Sequence, residues 1–152
     1  MFVVNRSVVM ANARELQRLK ALVARLSDEQ LSAMVNEYWS VAGILGHIAF
    51  WDGRALFLAG KLQRGEPLTS SDDEPGEVDW INDSSRPLIH AIVPRALAEL
   101  AVSIAEETDQ LVASLPDDVL AGLGETSPLN PVRATHRGAH LDEIEASGFR
   151  SL

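Results

Sequence analysis

The chain contains no cysteine. That excludes disulfides, thiolate metal ligands and a cysteine nucleophile, so any thiol chemistry has to use a thiol carried in by a second molecule. Basic residues are scarce too. Thirteen Lys and Arg stand against 22 Asp and Glu, for a formal net charge of −9. A nucleic-acid binder presents a basic stripe or patch, whereas these cations are scattered among more numerous acids, so no nucleic-acid partner is expected. Long apolar runs are missing as well. The longest uncharged stretch, Tyr38 to Trp51, is too short to cross a bilayer and contains His47. The N-terminal "MFVVNRSVVMANARELQRLK" has no basic segment leading into a long apolar one, unlike a secretory signal. The expectations are no membrane partner and a cytoplasmic location. Several enzyme signatures are also absent: no P-loop, no G-x-G-x-x-G, no G-x-S-x-G and no H-E-x-x-H. No Glu-x-x-His occurs, which argues against a di-iron carboxylate bundle.

What is present is helical periodicity. At 152 residues, 46% of them hydrophobic, the chain suits one domain spanning 1–152 with a real core. Leu16, Leu19, Val23 and Leu26 recur at helical spacing and predict a helix over roughly 10–26. Ser27 with Gln30 reads as a capping box for a short turn, "SDEQLSAM". Ser40 is a good N-cap for a longer helix over about 40–63, carrying Val41, Ile44, Leu45, Ile48, Ala55 and Leu58. Gly43, Gly46, Gly53 and Gly60 fall inside it. Either packing tolerates them, or Gly43 and Gly46 let another helix or a ligand approach beside His47.

Residues 64–85 are turn-rich and acidic. Glu66, Asp72, Asp73, Glu74, Glu77, Asp79 and Asp83 have no basic residue among them, which reads as a solvated loop or a long crossover. Trp80 and Ile81 are expected to tack its end to the core. One or two helical turns fit 84–93. Pro94 opens a clear helix over 94–115, stopped by Pro116. Asn130-Pro131 reads as N-cap and first residue of a last helix, 131–146, ended by Gly148. Four main helices without a convincing strand predict an all-α four-helix bundle.

The four histidines carry the chemical question. His136 and His140 stand four residues apart, so both rings point the same way. They are either a pair on a wet surface or two ligands of one metal. His47 is the candidate third ligand. It joins them only if its helix packs beside theirs, giving three nitrogen donors with open positions, as in catalytic metal sites. Imidazole suits Zn, Ni, Fe or Cu. His90, between Ile89 and Ala91, reads as a partly buried structural residue. Glu143, three residues after His140, is a candidate acceptor for a histidine N–H or a general base. Asp52 lies five residues after His47, about 140° around the helix, and reads as surface charge. Asn82 either reaches a pocket or caps a helix. Trp39, Phe50 and Trp51 either line a pocket or fill the core.

The stretch "EYWSVAGILGHIAFWDGRA", with Trp39, Ser40, Val41, His47, Trp51 and Asp52, resembles the second helix of the DinB-like superfamily. His136-x-x-x-His140 resembles its fourth, and the order of helices agrees from about 12 to 147. The resemblance implies a bundle with a long crossover after the second helix. It also implies a divalent metal, zinc or nickel, on a triad of His47, His136 and His140, and a homodimer acting on a small-molecule substrate. Relatives of that kind include thiol-dependent isomerases and S-transferases using mycothiol, bacillithiol or glutathione, and others that hydrolyse or detoxify reactive molecules. Three functions follow as expectations. The first is a metal-dependent transferase or isomerase that activates a low-molecular-weight thiol, in a stress-response or detoxification setting. The second is a hydrolase activating water at the same site. The third is a non-catalytic dimeric helical binding module. The resemblance does not place the acidic loop at 66–83, and leaves lid geometry and substrate preference open.

Overall fold

The computed structural model describes residues 6–148. The expected domain span of 1–152 runs past them at both ends. Among the described residues the order is α1 (Ser7–Arg25), α2 (Asp28–Ser32), α3 (Val41–Gln63), a 3-10 turn (Ser70–Asp72), α4 (Asp79–His90), α5 (Pro94–Ser114), α6 (Asp117–Ala121) and α7 (Ala134–Ala146). No strand forms among them; Met34 and Ser40 share one isolated bridge. The fold is all-α, as expected, with α1, α3, α5 and α7 as the long members.

Local chemistry explains most boundaries. The Ser27 hydroxyl accepts from the Gln30 N–H while the Gln30 side chain accepts from the Ser27 N–H, a complete capping box for α2. The Ser40 hydroxyl accepts from the Gly43 N–H and starts α3. Pro94 sits at the first position of α5, where its missing N–H costs nothing. α4 is longer than the one or two turns expected. Its acidic opening and the internal Pro87 disguise its period. α7 starts later than expected, at Ala134 rather than Pro131. The Asn130 side chain accepts instead from the Val132 N–H, closing a turn ahead of the helix. The first N–H of α7, on Ala134, donates to Asn12 of α1 at 2.9 Å, and the Asn12 amide donates to the Pro131 carbonyl at 2.8 Å. A side chain from another helix does the capping.

α3 is apolar nearly all round because it is enclosed nearly all round. By length and composition it is able to cross a bilayer, yet 72% of its most apolar window is buried among the other helices. Gly46 lies against Leu97 and Gly60 near Leu111, so α3 and α5 run in the same direction. Parallel neighbours need a long connection, and residues 64–93 supply it, carrying α4 across. The two early glycines serve helix approach. A Cβ on Gly46 would come within 2.6 Å of Ile89 and 2.9 Å of Leu97, and one on Gly43 within 2.3 Å of the His90 ring.

The interior is divided. The larger apolar cluster joins Leu16, Leu19 and Leu22 of α1, Val41 to Ala49 of α3, Leu97 to Ala105 of α5, and Leu141 and Ile144 of α7. A smaller one joins Ala55, Leu58 and Ala59 to Val112, Leu120 and Leu129. Asp52 on α3 and Thr108 on α5, both fully buried, fall between the two clusters.

Candidate metal centre

α3 and α7 meet along one edge of the bundle, and this contact brings His47 to His136 and His140. Ring centroids lie 5.1 Å apart for His47 and His136, 4.7 Å for His47 and His140, and 4.7 Å for His136 and His140. One nitrogen from each ring falls within 4.8 Å of the others. The two Nε2 atoms of His47 and His136 face each other at 3.2 Å. Tetrahedral nitrogen ligands of one zinc ion stand about 3.4 Å apart, close to the 3.2 Å of the His47–His136 pair. The surface-pair reading of His136 and His140 does not hold: both are half-buried, and His47 is buried at 8% exposure.

The donor set fits a cation. Burial, then the neighbouring His140, lowers the His47 pKa to about 4. Burial again comes first for His136, followed by His140, His47, Arg133 and Arg137, and lowers it to about 3. Both rings are therefore neutral at physiological pH, the state in which imidazole ligates metals. The His136 Nδ1 is buried without a hydrogen-bond partner. Glu143 accepts from the His140 Nδ1 at 3.2 Å. A carboxylate can only accept, so the proton of this bond sits on Nδ1, and Nε2 is the atom left for ligation. Glu143 is itself held by the Asn36 amide, which donates to its other oxygen at 3.1 Å.

The triad lies in the wall of a cleft of about 970 Å³, at the upper end for a small-molecule site. Trp39 packs edge-on against His47 at 5.6 Å and lines the cleft. So does Trp51, whose indole N–H donates to the Asn82 side chain at 3.0 Å. Asn82 is thus a cleft residue inside α4, not a cap. Phe50 neither fills the core nor lines the cleft; it is 42% exposed. His90 keeps its structural reading but not its burial. It is exposed, its ring lies 5.4 Å from Trp39, and its Nε2 accepts from the Ser40 N–H at 3.4 Å.

Asp52 is the main correction. It is fully buried, not a surface charge. The 140° offset from His47 fails as a guide because Arg133 and Arg137 near and on α7 and Thr108 on α5 cover that arc of α3, which opens to solvent elsewhere, at Phe50 and Phe57. The Asp52 carboxylate accepts from Arg133 Nε at 2.9 Å and Arg137 Nε at 2.8 Å. Arg137, also fully buried, reaches on to Asp109 of α5 with both terminal nitrogens, at 2.8 and 2.7 Å. Arg133, Arg137, Asp109 and Asn12 escape a reading for apolar stripes and histidines. The usable signal was in α7 itself: Arg133 and Arg137 repeat the four-residue interval of His136 and His140, in a helix with few apolar residues to bury.

The acidic crossover is exposed and paired in part. Lys61 donates to both Asp72 oxygens, at 3.0 and 2.9 Å. Arg54 bonds Glu74 at 3.1 Å, the Pro128 carbonyl at 3.0 Å and the Asp72 carbonyl. α3 thus supplies the cations that the segment lacks. Trp80 does not tack the loop down; it is 60% exposed, whereas Ile81 is half-buried.

A family model described as the DinB superfamily matches residues 11–141. No curated protein and no solved structure matches the chain.

Proposed function

The chain belongs to the DinB superfamily, and on that premise we propose that it is a metal-dependent enzyme acting on small molecules, with His47, His136 and His140 holding a divalent zinc or nickel ion. One observation carries the reading: three imidazole nitrogens within 4.8 Å of one another in the wall of a large cleft. A divalent cation held by three neutral imidazoles keeps its charge and supplies Lewis acidity, which acidifies a thiol or a water.

The chain's own residues supply the rest. Glu143 fixes the His140 tautomer and orientation through Nδ1. It also stands where a carboxylate is able to take a proton from a nucleophile in the cleft. Burial keeps His47 and His136 as lone-pair donors rather than cations. Trp39 and Trp51 give the cleft apolar walls against which a substrate is able to lie. The thiol-transfer form of the reading is favoured because the cleft volume accommodates a cosubstrate beside a substrate; the thiol would come from that cosubstrate, since the chain has no cysteine. Hydrolysis at the same centre is the second form, supported by Glu143. Phe50 and Phe57, two turns apart on α3, stand 42% and 65% exposed, and a cytoplasmic homodimer would cover them.

Elemental analysis of the purified protein tests the reading. Stoichiometric metal, lost in His47→Ala and in His140→Ala, is the expected result. A protein that takes up no zinc or nickel, and whose stability those ions leave unchanged, is a helical binding module instead. Turnover of an electrophilic substrate with and without added thiol then separates transfer from hydrolysis.

A further inference from the structure

The ion-pair layer and the triad are two neighbouring rungs of one junction. His47 and Asp52 are five residues apart on α3. Arg133 and Arg137 each precede a triad histidine by three residues on α7. The Asp52 carboxylate spans the junction as a fork, Oδ1 to Arg133 and Oδ2 to Arg137, with side chains 0%, 12% and 0% exposed for Asp52, Arg133 and Arg137. Stability alone is a weak reason for such a layer. Buried ion pairs often give no more stability than apolar residues of the same volume, and their best-attested use is to fix register.

Without Asp52, Arg137 would keep Asp109 on its two terminal nitrogens and lose the acceptor of its Nε–H. Asp109, however, ties α7 to α5. Among the described residues, the ion pairs that tie α7 to the helix carrying His47 are those of Asp52. A slip of one residue along α7 would displace the His136 and His140 rings by about 1.5 Å and turn them by about 100°, which three-point ligation does not survive.

We propose that Asp52 is a positioning residue for the metal centre: its two-pronged grip on Arg133 and Arg137 sets the register of α7 against α3 and so brings His136 and His140 to His47. The proposal rests on the metal reading of the triad, and its test keeps the two apart. Asp52→Asn and Asp109→Asn each remove one unit of charge from the same buried network, so a purely electrostatic or structural role predicts similar effects. Zinc affinity is measured by competition with a chromophoric chelator. The coordination geometry is read from the visible spectrum of the cobalt-loaded protein, and folding from circular dichroism.

Expected is a loss of zinc affinity of about tenfold or more in Asp52→Asn with an altered cobalt spectrum. Asp109→Asn should lower the melting temperature of the metal-free protein while keeping the wild-type affinity and spectrum. Should Asp52→Asn fail to fold, Asp52→Asn combined with Arg133→Gln removes the charge and its partner together, leaves the Arg137–Asp109 pair, and is expected to show the same metal defect. Wild-type affinity and spectrum in the folded Asp52 variant, or an equal defect in Asp109→Asn, overturns the proposal and leaves the metal reading standing. A wild-type protein that binds neither zinc nor cobalt overturns both.

Discussion

The imidazole cluster and the ion-pair layer lie on the same two helices, yet their polar atoms end up in opposite conditions. In the layer, both oxygens of Asp52 and both of Asp109 accept from guanidinium nitrogens at 2.7–2.9 Å, and the Asp52 carbonyl accepts from Thr108 at 3.2 Å. The two arginines balance the two aspartates. In the cluster, the Nε2 atoms of His47 and His136 share one hydrogen bond at 3.2 Å and the His136 Nδ1 has no partner. Burying polar groups costs free energy unless they are bonded. A saturated layer holds a fold together, whereas an unsaturated one beside a cleft has capacity left for a ligand.

Breaking the saturated side should have the largest effect. Asp52→Asn leaves a guanidinium buried without its full counter-charge and should destabilise the metal-free protein by about 3–5 kcal/mol, read from urea denaturation. If the loss is within error of zero, the layer is not a structural element. On the unsaturated side the effect runs the other way. Zinc at a hundred times its dissociation constant should add about 2.7 kcal/mol to the wild type and nothing to His47→Ala, read as a shift in melting temperature.

His136→Leu removes the orphaned nitrogen. It should stabilise the metal-free protein by about 1 kcal/mol while abolishing zinc uptake; a destabilised apo variant would mean that the ring is better satisfied than the geometry shows. Acid sharpens the same contrast. The folded pKa values of His47 and His136, about 4 and about 3, lie below the unfolded value near 6.5. The unfolded chain therefore binds more protons below pH 6.5, and the metal-free protein should lose stability from there down to about pH 4 and below. Melting temperatures across that range check it, and His136→Leu should flatten the profile.

The smallest effect separates two glycines of α3. Gly53 has open space where a Cβ would stand, so Gly53→Ala should gain about 1 kcal/mol from helix propensity. Gly46→Ala drives a methyl into Ile89 and Leu97, and overpacking of about 1–3 kcal/mol should cancel that gain or exceed it. Thermal melts of the two variants, side by side, would show opposite signs.

The contrast also explains what could be read from the residue order. Ser27, Ser40 and Pro94 act within a few positions of themselves, so the starts of α2, α3 and α5 are legible. The imidazole pair on α7 is legible because one turn of helix sets its interval, and His47 because it sits in an apolar helix that must be enclosed. Asp52 is not, since a charge on an amphipathic helix normally faces water and only the full set of neighbours shows that α7 and α5 cover α3 on the side of Asp52. The start of α7 is not legible either, because its cap is Asn12, 122 residues earlier. The length of α4 is hidden by Pro87 and by the acidic, turn-rich run that leads into it.

That borrowed cap bears on how the centre assembles. α7 is 13 residues long, at the limit of what holds as an isolated helix in water, and its first turn depends on α1 being docked. Two of the three ring nitrogens are thus not prearranged in an open chain but come into existence with the finished tertiary structure. An ion taken up there binds only the assembled form, so a substitution that frees α7 from α1 should weaken its uptake without touching a ligand.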